Sequence, residues 1–128
     1  MFNFFKKAKK FPRFETLGGF AQKDSYFVRS ARWHVLDKKM ISVVDPHQPR
    51  MFTMDPWPQT VFLEADGQKT VAEFIYYMAG EYSGAVPDEL DKTIINELLK
   101  LIDYKIIQFS DVKKRPDQQF DEAHEPGK

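Results

Sequence analysis

Glu64-Ala65-Asp66-Gly67-Gln68-Lys69-Thr70-Val71-Ala72-Glu73 holds a helix stop and a helix start within ten residues. Asp66-Gly67 supplies the left-handed backbone position that a helix ending needs. Thr70 and Glu73 form a T-x-x-E capping box, in which each side chain binds a free backbone N–H of the new helix. Apolar residues precede the turn (Val61, Phe62, Leu63) and follow it (Val71, Phe74, Ile75). Two short helices joined this closely must cross steeply, which predicts a helix-turn-helix corner.

Outward from that corner, Asp55-Pro56 reads as an N-cap followed by proline at the first helical position. One helix is predicted over residues 56–65 and a second over residues 71–82, stopped by Ser83-Gly84. Pro87 opens a third, whose first turn carries Asp88, Glu89 and Asp91, suited to the positive end of a helix dipole. Upstream, the runs 33–36 and 40–44 flank Asp37-Lys38-Lys39 as a hairpin. After the proline-bounded turn 45–49 comes a third strand of Arg50, Met51, Phe52, Thr53 and Met54. Phe52 and Met54 share one of its faces, Met51 and Thr53 the other. Residues 105–109 are β-branched and suit a last strand or wing. The expected fold is α+β and winged-helix-like: a three-stranded antiparallel sheet followed by a three-helix bundle.

With 128 residues, 42% hydrophobic and twelve Phe, the chain has enough apolar side chain for one core. It divides into a basic, aromatic arm (1–30), a folded domain (31–110) and a polar tail (111–128) read as mobile. Net charge is zero, but residues 1–39 hold ten Lys/Arg against three Asp/Glu, and residues 40–128 hold nine against sixteen. There is no cysteine, so disulfides, thiol nucleophiles and Cys-held metals are excluded. No run approaches the ~20 apolar residues of a membrane span, and lysines interrupt the N-terminal stretch too early for a secretory signal. A cytoplasmic location is expected.

Little points to catalysis. His34, His47 and His124 share no ligand spacing with carboxylates, so no metal site is expected. No Ser–His arrangement, nucleotide loop or nucleophile elbow occurs. The chain is therefore expected to be no enzyme, with no catalytic residue and no cofactor. Nucleic acid is disfavoured as a partner because the third helix opens with acids where a DNA reader needs cations. The Phe/Lys arm is compatible with an anionic membrane surface, with a protein partner, or with packing of some of its rings against the domain. The third helix is apolar over roughly 180°, wider than one core contact requires. Leu90, Ile94, Leu98 and Leu101 form its centre, and Ile95, Leu99 and Ile102 a shoulder that is either buried or one wall of a groove.

In this order of elements the chain resembles the PqqD family, the small peptide chaperones of pyrroloquinoline quinone biosynthesis. Their fold recurs in recognition elements that present ribosomally made precursor peptides to modifying enzymes. The likeness covers residues 33–109, about 77 of 128. It rests on Met54-Asp55 before a helix, D-G-x-x-T-V-x-E at Asp66 to Glu73, the aromatic turn Glu81-Tyr82-Ser83-Gly84, and the closing Ile106-Ile107. The arm and the tail lie outside the family pattern, and Ile102-Asp103-Tyr104-Lys105 lacks the glycine the family commonly places before its last strand.

The resemblance implies binding of a leader peptide as an added strand, β-augmentation, beside Arg50, Met51, Phe52, Thr53 and Met54. The implied opposite wall is Asp91, Ile95, Leu98, Leu99 and Ile102, with Lys92 assisting and Arg50 placed to meet an acidic leader residue. The implied partners are a precursor peptide and a modifying enzyme, such as a radical S-adenosylmethionine enzyme. The alternative is a winged-helix interaction module for nucleic acid or another protein. Uncovered strand edges would also permit a homodimer.

Overall fold

The computed structural model describes residues 11–37 and 40–124. Among these the chain is a mixed α+β structure with five helices and two three-stranded antiparallel sheets. In chain order they are α1 (Glu15–Gly18), β1 (Tyr26–Arg29), β2 (Trp33–Asp37), β3 (Met40–Val44), β4 (Met51–Thr53), α2 (Pro56–Leu63), β5 (Asp66–Thr70), α3 (Val71–Gly80), α4 (Leu90–Asp103), β6 (Ile107–Ser110) and α5 (Gln118–Asp121). One sheet has the order β2-β3-β4 and the other β5-β1-β6. Lys38 and Lys39 of the expected hairpin turn lie outside the described residues, but the strands on either side pair Val35 with Ile41.

The stretch read as an irregular arm contributes the central strand of the second sheet. β1 pairs with β6 through Tyr26–Ser110 to Arg29–Ile107, and with β5 on its other side. Tyr-Phe-Val is a β-favouring run, and its Phe27 is buried against Phe74 with ring centroids 5.3 Å apart. Phe14 and Leu17 are buried as well, so this Phe-rich stretch supplies core that the apolar helices alone lack.

The corner at residues 64–73 is likewise not a direct helix-to-helix turn. β5 lies between the two helices, a polar D-G-Q-K-T run that is a strand because β1 offers it a ladder. Gly67 has φ +73° and sits where the register slips, a bulge. A Cβ there would stand 1.7 Å from the Lys114 carbonyl oxygen, and the Lys114 N–H donates to the Gly67 carbonyl. The capping box forms as read: Glu73 N–H donates to Thr70 Oγ1 at 3.1 Å, and Thr70 N–H to Glu73 Oε1 at 2.8 Å.

α4 starts at Leu90, with residues 87–89 in the turn before it. Its end is a Schellman motif: Lys105 N–H donates to the Ile102 carbonyl, and Ile106 N–H to that of Leu101. Lys105 takes the left-handed position at φ +63°, the position glycine adopts most readily at such a helix end.

The segment read as a mobile tail is docked through residue 124. Its anchor is Arg29, whose side chain is 5% exposed. Nε donates to the Phe120 carbonyl at 3.0 Å, one terminal nitrogen to the Leu63 carbonyl at 2.7 Å, and the other to the carbonyl and carboxylate of Asp121. One guanidinium thus satisfies the open carbonyl end of α2 and the turn of α5 together. Burial lowers the Arg29 pKa, and Asp121 opposes that shift. Farther on, His124 N–H donates to the Trp33 carbonyl at 2.7 Å.

Candidate functional site

β4 is positioned by the turn before it. The Asp45 carboxylate accepts from the His47 N–H (2.8 Å), the Gln48 N–H (3.2 Å) and Arg50 Nε (2.7 Å). These bonds, Arg50 first and then His47, hold the Asp45 carboxyl below its ordinary pKa. Arg50 then lies over the Phe52 ring, 4.8 Å from its centroid, and Phe52 stands 5.1 Å from Tyr104. A cation and two rings are therefore stacked from the turn across β4 to the end of α4.

The ladder shows which backbone groups face outward. Asp45 N–H donates to the Arg50 carbonyl, so this is a hydrogen-bonded pair. Antiparallel alternation makes Val43–Phe52 the next such pair. Phe52 therefore turns its N–H and C=O toward β3, while Met51 and Thr53 turn theirs away from the sheet. Past the end of β4 the Gln59 side chain takes over, accepting from the Ile41 N–H at 3.0 Å. The two edges of this sheet differ. β2 is met at its start by His124, in a parallel bridge with His34, while Val35 and Leu36 beyond it are exposed; β4 has no strand partner beyond β3 among the described residues.

Beside the β4 edge runs a cleft of ≈ 200 Å³ lined by Phe52, Thr53, Met54, Asp55 and Pro58 on one side and by Lys100, Leu101 and Tyr104 of α4 on the other. A wider, open depression of ≈ 780 Å³ adjoins it, sharing Met54 and Asp55 and adding Met40 and Pro56.

The residues singled out from sequence divide into groups. Arg50, Met51, Phe52, Thr53 and Met54 lie together on and around β4, with Met51 and Thr53 exposed. Asp91, Ile95 and Leu98 are buried in the core. Asp91 accepts from the Leu17 N–H at 2.8 Å, so α1 occupies that part of the helix. Lys92 and Leu99 are exposed. Ile102 lines a different depression, with Pro46, His47, Ile107, Phe109 and Phe120. At ~100° per residue, Ile95, Leu99 and Ile102 project on the side of α4 away from Lys100, Leu101 and Tyr104. The shoulder inferred as the groove wall and the wall that lines the β4 cleft are thus different faces of one helix. Lys100, Leu101 and Tyr104 are the α4 residues of this cleft that sequence reasoning missed, and their signal was that they share one helix face.

The three histidines do not converge on a shared centre. His34 Nδ1 meets the His124 carbonyl and His124 Nε2 that of Gln119, both within the docked tail, and His47 belongs to the Asp45 turn. Among the described residues no group of His, Asp and Glu is arranged to hold a metal ion, and no helix is long and apolar enough to cross a membrane. No family model, no curated protein and no solved structure matches this chain.

Proposed function

We propose that this protein is a non-catalytic peptide-binding module that accepts an extended segment as a fourth strand beside β4. In this reading the arrangement is winged-helix-like, and the bound segment is the leader of a ribosomally made precursor held for a modifying enzyme. The observation that carries it is the asymmetry of the β2-β3-β4 sheet: one edge capped at its start by the chain's own tail, the other open and beside a cleft whose lining mixes apolar side chains with Thr53, Asp55 and Lys100. Backbone groups of Met51 and Thr53 would give affinity, and Tyr104 and Met54, backed by the buried Leu101, would choose the side chains that enter. The sequence resemblance to PqqD proteins supports the same use of the same strand, with the α4 wall moved to Lys100, Leu101 and Tyr104.

The test is a titration of the isotope-labelled full chain with the leader of a precursor encoded beside it. Amide shifts are expected at Met51, Thr53 and Tyr104. Tyr104→Glu should lower affinity about tenfold or more with the fold intact, since Tyr104 is 41% exposed. Leu99→Glu, on the other side of α4, should leave affinity unchanged. Sensitivity at Leu99 with none at Tyr104 would move the site to the opposite face.

A further inference from the structure

The charged side chains around the β4 cleft are not equally free. Arg50 is half-exposed, but its Nε lies 2.7 Å from the carboxylate of Asp45, whose side chain is 5% exposed. On the opposite wall Lys100 is half-exposed too, with Nζ 3.5 Å from Glu97 Oε2. That oxygen is buried and accepts no hydrogen bond among the described residues. Each cation is thus the counter-charge of a carboxylate that the fold has largely taken out of water. An acidic ligand that drew either one away would leave a buried anion alone, which costs more than a rim ion pair gains.

Asp55 is placed differently. It lines both the cleft and the wider depression beside it, and it is exposed. It is also the N-cap of α2, where an acid ordinarily accepts from the second or third N–H of the helix. In Pro56-Trp57-Pro58 the third residue has no N–H to give. The Asp55 side chain makes no capping bond, and no other hydrogen bond or ion pair among the described residues. The uncommitted charge at this edge is therefore a negative one. Surfaces suited to the stem of a long cation adjoin it: Met54 and Pro56 in the depression, the Phe52 and Tyr104 rings in the cleft.

We propose that the segment added beside β4 carries a Lys or Arg at the Thr53 end of the pairing, and that Asp55 selects it. This inference rests on the strand-addition reading above and names the chemistry of its ligand, an extended basic peptide. An acid at the same position is rejected, because it would face Asp55 with no cation free to receive it. The preference is the reverse of the one expected of Arg50, which is held by Asp45.

The experiment is selection of a random peptide library on the full chain, followed by titration of the isotope-labelled chain with the recovered peptides. Peptides that shift the Met51 and Thr53 amides are the β4 binders. Among them Lys or Arg is expected at one fixed position, and changing it to Glu should weaken binding about tenfold. Asp55→Asn should remove most of that preference, with circular dichroism unchanged because no cap bond is lost. Asp55→Lys should invert it, so that the Glu peptide binds better than the Lys peptide, an exchange that a purely structural Asp55 would not produce. β4 binders with no basic position, or a preference that survives both variants, overturn the inference and leave strand addition standing. Absence of any peptide that shifts Met51 and Thr53 removes strand addition itself, and the inference with it.

Discussion

At Lys105 a side chain stands in left-handed backbone, a conformation that costs a residue with a Cβ about 1–2 kcal/mol. The Schellman bonds that end α4 impose it, and glycine would adopt it without that cost. Lys105→Gly is expected to raise stability by about 0.5–1 kcal/mol after the extra freedom of glycine in the unfolded chain is subtracted. A urea midpoint that stays put or falls would count against this. Gly67 is the opposite case. It has both the positive φ and a carbonyl where a Cβ would go, so Gly67→Ala should cost about 2–4 kcal/mol and loosen residues 111–117 to protease. The left-handed role of Gly67 and the Thr70–Glu73 box were legible because both are local. The approach of Lys114 to Gly67 was not, since the two are separated by all of α3, α4 and β6.

Among the elements, α4 shows where periodicity stops informing. Its width of apolar face was readable, but periodicity does not say which neighbour takes which side. α1 took the Asp91 and Ile95 side, while Leu101 turned toward β4. For the same reason β1 went unread, a four-residue strand hidden by the lysines and glycines around it. The turn into β4 offers a pH test. Asp45 has a folded pKa below its unfolded value, so its contribution is present above about pH 4 and is lost as pH falls through the folded value. Asp45→Asn should therefore be less stable than the parent at pH 7, and the gap should close as both are titrated toward pH 2. A gap independent of pH would mean that the turn is held by shape alone.

Across the whole molecule, the order of elements in residues 33–109 was legible apart from β5, read as a turn, and the partition into arm, domain and tail changed. Arg29 binds residues from both ends of the chain into one unit: its own strand, the end of α2, and α5. Ending the chain after Pro116 would leave its guanidinium buried without the Phe120 and Asp121 acceptors. That is expected to cost about 3–5 kcal/mol, read from thermal or urea unfolding. A loss under about 1 kcal/mol would show that water replaces those acceptors.

The His124 bridge has a further consequence, for how many copies could associate through this sheet. A sheet open at both edges is divalent, and strand addition between copies then propagates without limit. With His124 bridged to His34 at the start of β2, an incoming strand cannot run the length of that edge, and β4 against β4 about a two-fold axis is a pair that terminates. A few tail residues thus favour pairs over open-ended growth through this sheet.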